Sequence, residues 1–250
     1  MQYLGDNFIP ASVHIAVFCM KYFVGTSGWL YSWNKEGTLD WYLANSGLNA
    51  VELNASFYRF PFPNQVKGWA RKGGRLSWSV KMNRQVTHVH MLNDKAEGTC
   101  EKFMEIFKPL DKSISFYLFQ MPPNFSTNLK NRLQDFMASF GSQKTALEFR
   151  HKSWYDFDFS KLDFDGVIVS PDSPEFNGHV VSDNRLVYLR FHGRRSWYRY
   201  KYSEKELQDM ARKAKLANPK KMFAFFNNDH DMLGNARLFL DILSTSDERS

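Results

Sequence analysis

In the stretch Leu186–Tyr198, Arg190 and His192 alternate with Leu189 and Phe191. One face of an extended segment is therefore apolar, and the other carries Tyr188, a guanidinium and an imidazole. Gly193 then permits a turn, followed by Arg194 and Arg195. Glu148 and Arg150 share a face in the same way, as do Glu52 and Asn54, and Lys81 closes the apolar run from Leu76. Arg supplies paired hydrogen bonds to a phosphate, Lys a point charge, and His a proton near neutral pH. Arg190, Arg150, Arg194 and Lys81 thus read as an anion clamp with His192 as general acid. Glu148 and Glu52 are candidates for a base or for carboxylates that orient the cations. The alternative is an internal salt-bridge network, and the two are compatible because an Arg held by a carboxylate is preorganised for an anion.

Such residues need a frame that gathers strand ends. Eight apolar segments qualify as strands: Tyr22–Val24, Ala50–Leu53, Leu76–Lys81, Ile114–Phe119, Thr145–Phe149, Val167–Ser170, the stretch from Leu186, and Lys221–Phe226. Helical spacing separates most of them, at Leu39–Ser46, Asn64–Lys72, Lys95–Phe107, Leu129–Phe140 and Ser203–Leu216, with a last helix carrying Leu233, Ala236, Leu240 and Leu243. Ser203 with Glu206 is a capping box. Ser173–Arg185 lacks a helical period, so the sixth βα unit is expected to be irregular. The pattern predicts a single TIM-like (β/α)8 barrel over residues 20–250. A doubly wound open sheet is second, weakened by the lack of a Gly-rich dinucleotide fingerprint.

In such barrels the site lies at the carboxyl ends of the strands. Here those ends hold Thr26, Ser27, Glu52, Asn54, Lys81, Gln120, Glu148, Arg150, Asp172, Arg190, His192, Asn227 and Asp229. Polar groups recurring there imply a wet or ligand-filled mouth, because burial without partners is costly. Asn227, Asn228 and Asp229 begin the last helix, where an anion is favoured, although capping by Asp229 is the plainer role. Trp29, Tyr58, Trp197 and Tyr198, with neighbouring Arg and Lys, suit stacking of a base or sugar; the alternative is a hydrophobic loop cover. A divalent metal would draw on His88, His90, His192 and His230 with Glu52, Glu148, Asp172 and Asp229. No pair among them has the spacing of a zinc motif, so no metal ligand is assigned and the cofactor is left open.

The 250 residues, 43% hydrophobic, suffice for a large core. A formal charge of +7 favours phosphorylated or polyanionic partners. Two cysteines, Cys19 and Cys100, leave no disulfide framework and suggest a reducing, cytoplasmic setting. Val13–Met20 is too short to span a bilayer and lacks signal-peptide features, so no membrane partner is expected. Residues 1–19 read as an extension outside the core fold.

Gly25–Trp29, Val51–Asn54 with Phe57-Tyr58, Thr87-His88, Phe119–Pro123, Glu148–His151 with Ser153-Trp154, Arg190–Gly193 and Phe226–Asp229 together resemble the domain of unknown function 72, or YecE-like, family, from about Tyr22 to Leu243. The resemblance implies a TIM-like barrel with these motifs around its mouth and implies no settled reaction. Ser173–Arg185 matches that pattern poorly.

Three functions fit these residues. The first is a hydrolase or phosphodiesterase acting on a nucleotide or nucleic acid. The second is a sugar-phosphate isomerase or lyase in which Lys81 and a carboxylate handle protons. The third is a nucleic-acid or metabolite binding protein without chemistry.

Overall fold

The computed structural model describes residues 20–141, 144–183 and 185–247; the expected extension at 1–19 lies outside them. Strands β1 (Lys21–Thr26), β2 (Ala50–Leu53), β3 (Ser77–Lys81), β4 (Ile114–Gln120), β5 (Thr145–Glu148) and β6 (Val167–Asp172) run parallel in chain order. After them come β8 (Leu186–Phe191) and β9 (Lys221–Phe226). β9 pairs with β1, and β8 pairs with β6 through Val169 opposite Tyr188 and Pro171 opposite Arg190. The sheet therefore closes into an eight-stranded parallel barrel, which removes the open-sheet alternative. A two-residue strand, β7 (Ser182–Asp183), runs antiparallel to β8 outside the ring.

Closure gives each strand two buried faces, which is why these segments read as almost unbroken apolar runs. Ala50, Phe116, Leu118, Ala146, Val167, Val169, Tyr188, Phe223 and Phe225 form one cluster filling the barrel interior. Their neighbours in sequence, including Val51, Phe119, Leu147, Ile168, Leu189 and Ala224, face the helices in a second, larger core. Gly25 is required where β1 meets β2, because a Cβ there would lie 2.2 Å from the Ala50 carbonyl oxygen.

Helices α1 (Leu39–Asn45), α2 (Pro63–Lys72), α3 (Asp94–Phe107) and α4 (Lys130–Phe140) follow β1 to β4 in turn; α5 (Glu204–Leu216) follows β8 and α6 (Met232–Asp247) follows β9. Thr38 and Asn93 cap α1 and α3 by accepting from Trp41 N and Lys95 N, and Ser203 with Glu206 forms the expected capping box on α5. Two units depart from the repeat. After β6, Pro174 and Gly178 interrupt any helix and the chain returns through β7, in line with the irregular sixth unit. After β5 the helix is also absent. Two short 3-10 turns stand there (Lys152–Trp154 and Phe159–Lys161), and stacked rings of Phe149, Trp154 and Phe159 cover the strand. Thr87, His88 and Val89 belong to a π-helical turn (Gln85–Val89) closed by His90 N donating to Gln85 O at 2.8 Å. No helix among the described residues is long and apolar enough to cross a membrane.

Candidate active site

On five strands the inward face turns polar two positions beyond its last apolar residue: Ala50 leads to Glu52, Leu118 to Gln120, Ala146 to Glu148, Tyr188 to Arg190 and Phe225 to Asn227. The strands thus place a polar layer directly above an apolar floor. Its centre is Arg190, which is fully buried. Arg190 Nε and Nη2 donate to Glu52 Oε2 and Oε1 at 2.9 and 2.5 Å, and Nη1 donates to Glu148 Oε2. Ser27 Oγ and Tyr188 Oη, each at 2.9 Å, complete the Glu52 carboxylate, and Ser79 Oγ lies 2.6 Å from the Tyr188 hydroxyl. Burial and the neighbouring Glu52 hold the Tyr188 phenol protonated far into the alkaline range. Burial alone would push the Glu148 carboxyl up, but Arg150 and Arg190 outweigh it and hold Glu148 well below the usual carboxylate range.

Nearer the opening lie Arg150, His192 and Lys81. Arg150 forms an ion pair with Glu148 Oε1, its Nη2 is 3.0 Å from His192 Nε2, and its guanidinium carbon lies 4.5 Å from the Trp197 ring centre. Its Nε is buried and has no hydrogen-bond partner. His192 is fully buried; burial first, then Arg150 and Arg190, drive its pKa down to about 3, so it is neutral at physiological pH. Asn227 Nδ2 lies 3.3 Å from its Nδ1. Gly193, with φ +99°, lets the following loop fold back so that Tyr198 N donates to His192 O at 2.7 Å and Trp197 covers the imidazole.

Lys81 Nζ donates to Gln120 Oε1 at 2.7 Å and lies 4.3 Å from the centre of the Phe57 ring. Burial and the positive charges of Arg190 and Arg150 lower its pKa to about 7, against the opposing pull of Glu148 and Glu52. His88, edge-on to Phe57, is lowered to about 4 by burial, then by Lys81, Arg84 and Arg150.

Several residues that end strands lie elsewhere. Thr26 faces outward, its hydroxyl donating to Gly28 O and Tyr42 Oη at 2.7 and 3.2 Å. Asp172 also faces outward, where it binds Arg194 Nε at 2.9 Å; Arg194 further approaches Glu206 and takes no part in a clamp with Arg190. Trp29 is buried, edge-on to both Trp69 and Trp78, and is not a rim residue. Tyr58 and Tyr198 are exposed. Asn228 Nδ2 donates to Tyr200 O and Asn235 Oδ1. Asp229 sits at φ +58° in a 3-10 turn before α6, not at an N-cap. Asn54 lines a neighbouring cleft with Ser27. Among the described residues no group of three or more His, Cys, Asp or Glu is placed to hold a metal ion.

Ser79 is absent from the site residues expected from the sequence, whereas Phe57 and His88, expected around the mouth and, for His88, as a possible metal ligand, stand together beside Lys81. Ser79 was detectable, because it precedes Lys81 on the same inward face. The contact of Phe57 with Lys81 depends on how the β2 loop folds, which no periodicity reports.

The closed parallel barrel with polar side chains gathered at its carboxyl mouth defines a TIM-barrel protein whose candidate site is built by strand ends. Residues 23–249 match the family described as "Protein of unknown function DUF72", and the chain belongs to that family. A DUF72 family protein from Thermotoga maritima MSB8 has a similar structure, with a TM-score of 0.74 and 27% identity over 90% of this chain and 99% of that one. Another, from Enterococcus faecalis V583, gives 0.75 and 21% over 89% and 95%. A D-tagatose 3-epimerase-like protein shares the fold at 0.53 and 13%, over 92% and 99%. No curated protein matches the sequence.

Proposed function

We propose that this protein is an isomerase, epimerase or lyase that moves a proton next to the carbonyl group of a small, anionic sugar-like substrate, with Lys81 as the base. The observation that carries this reading is Lys81 itself, an amine at a strand end, hydrogen-bonded to Gln120, whose burial and neighbouring cations lower its pKa to about 7. The neutral amine takes a proton from the carbon beside the carbonyl. The C–H electron pair becomes a C=C bond, and the carbonyl π pair moves onto oxygen. Arg150 would hold that oxyanion or the substrate's phosphate; its buried Nε without a hydrogen-bond partner supports this role. Return of the proton to the other face gives an epimer; return to the former carbonyl carbon, with a proton passing from the neighbouring hydroxyl to the former carbonyl oxygen so that the new C=O forms, gives an isomer.

The phosphate-ester hydrolase reading depended on His192 as general acid and Arg190 as phosphate holder. His192 is neutral and enclosed, so it is not the imidazolium acid that reading needs at pH 7, and all three Arg190 nitrogens donate to carboxylates. Lys81 is partly exposed and Arg150 is 8% exposed, against none for Arg190, which favours these two as the groups an anion at the mouth would meet. The sugar epimerase-like name carried by one protein of this fold belongs to the same reaction class.

The test is deuterium wash-in. Protein in D2O is mixed with D-fructose, D-tagatose and their phosphates, and the carbonyl-adjacent proton is followed by NMR. Exchange in at least one compound, abolished in Lys81→Met, is expected. Exchange that survives Lys81→Met, or none across the panel, rejects the reading.

A further inference from the structure

Beside the polar layer, the loops after β1 and β2 enclose a cleft of about 340 Å3 whose occupant the chemistry at Lys81 does not explain. Its floor is aromatic, with Trp29 and Trp69 meeting edge-on at 5.7 Å. Leu30 and Tyr58 stand over it, 68% and 74% exposed, among the most exposed large hydrophobic residues described. Exposed apolar side chains lining a cleft are what a flat apolar guest would cover. Within that lining the Asn54 oxygen is buried and has no hydrogen-bond partner. A buried acceptor left without a donor is costly, and Asn54 is one of the residues that line the cleft. The Gln65 oxygen is already taken by Phe62 N at 3.0 Å, so it does not compete for that donor.

We infer that this cleft binds a planar aromatic or heteroaromatic ring bearing an N–H donor, with the ring face against the aromatic lining and the N–H directed to Asn54 Oδ1. A sugar fits less well, because its several hydroxyls would each need a partner and the lining is mostly apolar. The ring is the remote, unreacting end of the substrate. The short turn that supplies Asn54 to the cleft continues to Ser56, whose hydroxyl donates to Lys81 O at 2.7 Å, and to Phe57, whose ring lies against Lys81 Nζ. One turn therefore walls the cleft on one side and supports the base on the other. Only this last step, that ring and carbonyl belong to one molecule, rests on the proposed proton transfer.

The experiment uses the full chain with indole and 1-methylindole as probes, read by saturation-transfer NMR and heteronuclear spectra. Indole is expected to bind at least fivefold tighter than 1-methylindole, which lacks the N–H. Asn54→Leu should erase that preference, and Ala55→Trp, at an exposed position on the lining, should abolish binding of both while the remaining spectrum stays folded. Tyr58→Ser, a surface change, provides a second variant and should weaken both probes. Equal affinity for the two probes, no binding of either, or binding unaffected by Ala55→Trp overturns the inference. So does a concentration-dependent dimer abolished by Tyr58→Ser, which would make a second copy the natural cover. Lys81→Met should bind indole like the parent. Ring binding without deuterium exchange would reject only the proton-transfer reading, and exchange without ring binding would reject only the cleft.

Discussion

Arg190 and Glu52 meet inside the barrel through two hydrogen bonds, at 2.9 and 2.5 Å, and neither side chain reaches solvent. With Glu148 and Arg150 they make a balanced set of two negative and two positive groups. Removing one member leaves a buried charge without compensation. Arg190→Met should therefore cost about 3–5 kcal/mol of folding stability. Urea denaturation measures it, and a loss below 1 kcal/mol would contradict the enclosed network.

The activity proposed for Lys81 has a definite pH limb. The base works when neutral, so deuterium exchange should rise as pH increases through about 7 and fall away below it. Lys81→Arg, which is never neutral in this range, should lose exchange at every pH.

The same residue predicts a stability effect of opposite origin. In the unfolded chain Lys81 titrates near 10.5 and in the folded one near 7, so between these values the unfolded state binds more protons. Its contribution to stability rises with pH across that window. Lys81→Met should stabilise the protein most below pH 7 and hardly at all above pH 10.5, as read from thermal denaturation across pH.

His192 gives a second pH signature. Its folded pKa of about 3 lies below the ordinary 6.5, so protons favour the unfolded state as pH falls through that interval. Stability lost on acidification from 6.5 towards 3 should be reduced in His192→Gln. In the parent protein, imidazole 15N shifts should remain those of the neutral ring at pH 5.

Gly193 should not tolerate a side chain. At φ +99°, an added Cβ would lie 2.5 Å from both Ser196 O and Tyr200 Cβ. Gly193→Ala is expected to cost about 1–3 kcal/mol and to lift Trp197 from Arg150, visible as a shift in tryptophan emission.

Much of this arrangement was legible before folding was considered. The α5 capping box, the strand cores and the lack of a helix after β6 follow from local patterns. Alternation also carried more than proximity to a strand end did. Counting by twos from Phe23 reaches Ser27 and passes over Thr26, and counting from Val169 passes over Asp172; both side chains face the helical layer. The missing helix after β5 was harder to foresee, since its replacement is a stack of rings whose members interact only once folded.

The sequence by itself determined which residues end the strands and which of them point inward, because side-chain direction in a strand depends only on a period of two. The tertiary structure decided what those residues can do. Glu52 and Arg190 are 138 positions apart and meet only because β6 and β8 close the ring. That closure uses Arg190 as a structural cation, keeps the enclosed His192 neutral, and leaves Lys81 and Arg150 nearer the opening. Charge and proton affinity depend on distance and burial, and both are properties of the closed barrel, not of any one strand.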